Sequence, residues 1–226
     1  MNTRKLRFLA VIIGLGACLN AVAGGRGAAP WVGISFEGVR CNGQNPGNFG
    51  PYDYTLDKER LPVVEKAHFT PETEALIGGG AGQYPSGGID YTLTVIPNHH
   101  RALNSAIRLH FQLALRTGRI DPNEGLRSPA ECYLQRAVHY APRDAISHML
   151  YGVMLHRSSR MNEALVEYRI AMELAPRAPA IEYNYALALA DMGQYADAKQ
   201  IATKLYDGGY PLPGLKRKLK AAGSWE

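Results

Sequence analysis

Three histidines and a cysteine are the residues of this chain best suited to chemistry. His68, His99 and His100, with Asp90 nearby in the sequence, are donors of the kind that hold zinc. Adjacent residues on one helix point about 100° apart, so His99 and His100 would share an ion only with distortion. The simpler reading has Asn98 capping a helix, one imidazole in a local hydrogen bond and the other packed. Cys41 beside a histidine would be a thiol nucleophile. Glu65, Glu72 and Glu74 are carboxylates of the type used in glycoside hydrolysis, yet nothing in their spacing fixes a separation, and a solvated helix face is the default. The run Gly78-Gly79-Gly80-Ala81-Gly82 has no Lys-Ser/Thr after it and no clear strand before it, so it reads as a connector rather than a phosphate cradle. These groups assemble no specific catalytic motif, and neither catalysis nor a cofactor is expected.

The compartment decides the fate of the cysteines. Arg4, Lys5 and Arg7 precede an apolar run from Phe8 to Leu15 and the small-residue triplet Ala21-Val22-Ala23, the layout of a secretory signal peptide over residues 1–23. The run falls short of the about 20 apolar residues that a spanning helix needs. Leu15-Gly16-Ala17-Cys18 also resembles a lipobox, and only acylation at Cys18 would tie the protein to a membrane. Cleavage after Ala23 makes the protein periplasmic or secreted and leaves Cys41 and Cys132, an even pair that predicts a disulfide. The chain carries 25 Lys and Arg against 20 Asp and Glu. Losing Arg4, Lys5 and Arg7 brings the 25 down to 22, a near balance that excludes a large nucleic-acid footprint.

The elements that position these groups follow from a period. Pro142 and Pro176 lie 34 residues apart, and so do Ala164 and Ala198. In the frame ending at Pro176, Tyr151, Gly152 and Leu155 fall on a first helix and Ala164, Tyr168 and Ala171 on a second. That pattern resembles a tetratricopeptide repeat, with His148 where the family usually has Trp. The next copy starts near Pro179 and carries Tyr183-Asn184-Tyr185-Ala186, Gly193-Gln194-Tyr195 and Ala198, with Asp207-Gly208-Gly209-Tyr210-Pro211 in place of the proline stop. Upstream, Ser128-Pro129-Ala130-Glu131 reads as a cap and capping box for a helix closing at Pro142. Its partner is a helix from Asn98 to Thr117, across the long loop Gly118 to Arg127. Leu215 to Ala222 reads as a terminal capping helix whose Lys216, Arg217, Lys218 and Lys220 face water, with a membrane-surface or anionic-ligand role for them as the lesser alternative.

The resemblance implies a mainly α fold, an α-solenoid of about three helix pairs and a cap over residues 98–226. It also implies a concave groove lined by the first helix of each repeat. The groove positions are Ile146, Met149, Leu150, Val153, His156 and Arg157 in one repeat and Ala180, Tyr183, Asn184, Leu187, Ala190 and Asp191 in the next. Met149 and Val153 stand where a carboxylate clamp would need polar donors, which rejects a chaperone-tail partner. An apolar groove offering Met149, Val153, His156, Tyr183, Asn184 and Leu187 suits an extended apolar peptide or an amphipathic helix, unless residues 24–97 fill it themselves. Those residues are rich in glycine and proline and read as irregular, with a helix start at Thr70-Pro71-Glu72 running to Gly78 and an apolar piece from Ile89 to Ile96 stopped by Pro97. The function expected is therefore a protein–protein interaction scaffold or assembly adaptor in the envelope. The alternative is an envelope enzyme or metal-dependent protein built on His68, His99 and His100, with the repeats as its specificity module.

Overall fold

Prolines and a few capping side chains set the helix boundaries. The computed structural model describes residues 28–79, 84–116 and 124–225. The leader expected at 1–23 with Cys18, residues 80–82 of the glycine run and the first part of the 118–127 loop lie outside the described residues. Among those described, the fold is mainly α, with ten α-helices and one isolated backbone bridge, Ile34 to Arg40.

Three helices, α1 (Leu61–His68), α2 (Pro71–Ala75) and α3 (Pro85–Val95), carry proline in the first turn, where its missing N–H is no loss. The Thr70 hydroxyl caps α2 by accepting from the Thr73 N–H. α2 ends before Gly78, at a left-handed Leu76. The apolar piece at 89–96 belongs to α3, which starts earlier, at Pro85, and ends before Pro97 as expected.

The next pair is α4 (His100–Ala114) and α5 (Ala130–Tyr140), α4 being shorter than Asn98 to Thr117. Two expected caps are replaced. His99, not Asn98, caps α4, its Nδ1 accepting the Ala102 N–H at 3.1 Å. At α5 no capping box forms: the Ser128 hydroxyl donates to the Asn42 carbonyl, and Glu131 accepts the Phe36 N–H at 2.9 Å. Both side chains are drawn away by the N-terminal segment.

The remaining helices repeat. α6 (Ala145–Arg157) and α8 (Pro179–Asp191) begin 34 positions apart and end 34 apart, and α7 (Met161–Leu174) and α9 (Tyr195–Asp207) begin 34 apart. The turn bonds recur with them: Arg160 N–H to Leu155 O and Gln194 N–H to Leu189 O are both 2.9 Å. The left-handed turn residue is Ser159 in one copy and Gly193 in the other. The fold is thus helical and repeat-like, closed by α10 (Gly214–Ala221). From α4 onward each helix packs on its successor, and α4, α6, α8 and α10 also contact one another in turn. Gly152 is what lets α6 and α7 approach: a Cβ there would lie 2.6 Å from the fully buried Tyr168 ring.

Residues 29–45 run along α5. Gln135 exchanges two hydrogen bonds with the backbone of Ile34, Arg136 donates to the Ala29 carbonyl, and Trp31 meets Tyr133 edge-on at 5.0 Å. The expected disulfide joins Cys41 to Cys132, Cα to Cα 5.4 Å, and fixes this segment to the middle of the molecule.

Candidate functional site

The histidines weighed as zinc ligands separate into different environments. His68 stacks on Tyr91 with centroids 3.7 Å apart. His99 is fully buried; with Nδ1 occupied as the α4 cap, its Nε2 carries the proton given to Glu65 at 2.9 Å. Burial pulls its pKa down to about 4, more than the Glu65 hydrogen bond and charge restore. His100 turns the other way and places Nε2 2.7 and 2.9 Å from the two oxygens of Asp144.

Asp144 is the hub of the cluster. It caps α6 through the Ile146 and Ser147 N–H groups and also accepts from the Ser147 hydroxyl and the Asn98 amide. Burial would raise its carboxyl, but these bonds and His100 together hold it below the usual range. Asn98 accepts the Tyr54 N–H and donates to Asp53, and the Tyr54 ring lies 4.4 and 4.6 Å from the two imidazoles. The arrangement clasps residues 53–54 to the starts of α4 and α6.

The other candidates are similarly occupied. Arg101 holds both Glu65 and Glu74, and Glu72 is exposed at the start of α2. Asp90 is buried, accepting the Tyr133 hydroxyl at 2.5 Å and the Arg127 N–H, and burial pushes its carboxyl up to about 6. Cys41 is a disulfide sulfur and not a thiol nucleophile. Among the described residues no group of three or more His, Cys, Asp or Glu could hold a metal ion.

A second surface is made by alternate helices, and side chains bridge them in a row. The Arg157 guanidinium lies 3.9 Å from the Phe111 ring centre, joining α6 to α4. Asn184 directs its amide at the Met149 sulfur, 3.8 Å away, while also donating to the Ala180 carbonyl. His156 meets Asp191 at 3.0 Å, and Lys218 of α10 pairs with the same carboxylate. Met149, Val153, Asn184 and Leu187 are all half-buried. Met149 and Val153 touch both main core clusters, whose centres are Leu103, Ile107 and Leu134 on one side and Tyr168, Ala186 and Leu215 on the other.

Tyr183 does not join this row. It is 7 % exposed, its ring is 5.0 Å from Tyr210, and its hydroxyl accepts the Leu215 N–H at 3.3 Å. The chain after α9 returns α10 over α8, so Tyr183 serves the cap and is corrected from a groove residue to a core one. Among the described residues, the N-terminal segment sends none of its hydrogen bonds to Met149, Val153, Asn184 or Leu187.

His148 is held by acceptors on both nitrogens: Nδ1 faces Glu167 at 2.7 Å and Nε2 faces the Pro142 carbonyl at 3.2 Å. Only the cation can donate to both. Burial opposes the charge, but Glu167, Pro142 and Asp144 outweigh it and raise the pKa. A raised folded pKa gives stability that is complete below 6.5, the ordinary value, and is lost as pH rises through the folded value. His148→Gln should therefore abolish a decline in melting temperature above pH 6.5 that the native protein shows; an unchanged decline would contradict the pairing.

No protein-family model matches the chain, and no curated protein matches it. Reading the sequence missed Glu167 as the partner of His148 and Asp144 as a hub, although Asp144 directly before a helical frame is a recognisable capping signal.

Proposed function

We propose that this chain is an exported interaction scaffold. It is a tetratricopeptide-like solenoid in which α4–α5, α6–α7 and α8–α9 are the pairs and α10 the cap. A protein or peptide partner of the cell envelope, an amphipathic helix or an extended apolar segment, lies against α4, α6 and α8. The observation carrying this reading is the row of side chains bridging alternate helices, which leaves Met149, Val153 and Leu187 half-open beside the directed amide of Asn184. Such a strip anchors apolar side chains. The disulfide is compatible with an oxidising compartment, as the leader at residues 1–23 requires. Acylation at Cys18 is the one route in this reading to a lipid anchor. No cofactor and no nucleic acid enter it.

The test is a charge placed in the strip. Leu187→Glu should lower recovery of proteins that co-purify from an envelope extract at least about tenfold, the effect of a lost anchor of about 1.4 kcal/mol or more. Val166→Glu, on the exposed side of α7, should leave recovery unchanged. Equal recovery with Leu187→Glu and with the native chain would overturn the reading.

A further inference from the structure

The C-terminal end of the array combines groups that the inner face does not use. α10 buries only Leu215 and Leu219, one turn apart, against α8 and α9. Its N-cap residue, Pro213, offers no side-chain bond; instead the hydroxyls of Tyr206 and Tyr183 accept the Lys216 and Leu215 N–H groups. The Tyr206 hydroxyl also donates to the Leu212 carbonyl at 2.9 Å, and the Leu212 side chain is left 49 % exposed. Lys218 turns inward to Asp191, and Lys216 and Lys220 lie about 160° round the helix from it. Among the described residues, Lys216, Arg217 and Lys220 form no ion pair. The Lys216 ammonium is 5.8 Å from the Tyr206 ring centre and 5.6 Å from that of Trp225, and the two rings meet edge to face.

We propose that this end, through Leu212, Lys216, Arg217, Lys220 and Trp225, docks on an anionic phospholipid surface. Three cations without an ion pair attract acidic headgroups, and the exposed Leu212 and the open side of the half-buried Trp225 indole supply apolar surface at headgroup depth. Long basic side chains laid over aromatic rings keep their charge at the water boundary while their stems are covered. An acidic protein segment would answer the charge but leave the exposed Leu212 without a counterpart, so lipid is the better match. This surface is separate from the strip at Met149 and Leu187, and either assignment can fail without the other.

The probe is flotation of the purified protein with vesicles of equal phosphatidylcholine and phosphatidylglycerol, compared with phosphatidylcholine alone. Binding should be confined to the anionic vesicles and fall with salt. It should drop at least tenfold in the variant K216E/R217E/K220E with its thermal unfolding unchanged. Trp emission should shift to the blue on binding, and Trp225→Phe should remove the shift while Trp31 remains. Absence of flotation at low salt, or equal flotation of the triple variant, overturns the proposal. Retention on immobilised poly-glutamate without vesicle binding overturns it in favour of an acidic protein partner.

Discussion

Arg136→Met is expected to cost about 3–5 kcal/mol of folding stability, among the largest single losses the protein can suffer. The side chain is 1 % exposed, and it meets no carboxylate; it meets carbonyls. α3 ends at Val95, and Pro97 beyond it has no N–H for the Leu93 carbonyl one turn back, so that acceptor is orphaned by the sequence itself. Arg136 donates to it at 2.7 Å, to the Thr94 carbonyl at 3.3 Å and to the Ala29 carbonyl at 2.8 Å, with the Trp31 ring centre 4.9 Å away. Tyr52 answers the next carbonyl, that of Val95, at 2.8 Å. A cation at a helix C-terminus also matches the dipole. Methionine fills much of the volume but strands three buried acceptors. Arg136→Lys should recover only part of the loss, because one ammonium cannot span the fork. Urea unfolding measures both, and a loss below about 1 kcal/mol for Arg136→Met would contradict this account.

Reduction of the Cys41–Cys132 bridge is expected to cost about 4–5 kcal/mol, since it opens a loop of 91 residues in the unfolded chain. Dithiothreitol should lower the unfolding midpoint of the native protein and leave the variant Cys41→Ala/Cys132→Ala unmoved. The bridge also reports on export: in a chain lacking residues 1–23, held in a reducing cytoplasm, both thiols should react with a maleimide, whereas the exported protein should show neither. Free thiols in the full-length protein's exported pool would contradict both the pairing and its compartment.

What could be read from the sequence was local. The 34-residue period was legible because Gly152, Ala164 and Ala198 sit where helices must approach, and small residues at fixed spacing survive in a linear reading. The disulfide was legible by parity. Helix caps failed where a distant segment competed: Asn98 is occupied by Tyr54 and Asp144, and Ser128 and Glu131 by residues 42 and 36. Arg136 could not be read at all, since its acceptors lie 107, 43 and 42 positions away and a charged residue inside a helix reads as solvent-facing. Tyr183 was misplaced because the repeat frame assigns it inward, while the departure at Asp207 to Pro211 brings α10 over it. The histidines were plausible as a set only in sequence; capping and the contrary turns of His99 and His100 give each its own carboxylate.

The most direct test of the scaffold reading is site-specific photo-crosslinking in living cells, with the photoreactive residue at Leu187 and the protein exported by its own leader. The account predicts one reproducible foreign adduct from Leu187 and from Val153, and none from Val166 on the outer side of α7. Adducts confined to the chain itself, or the same adducts from Val166, would contradict it.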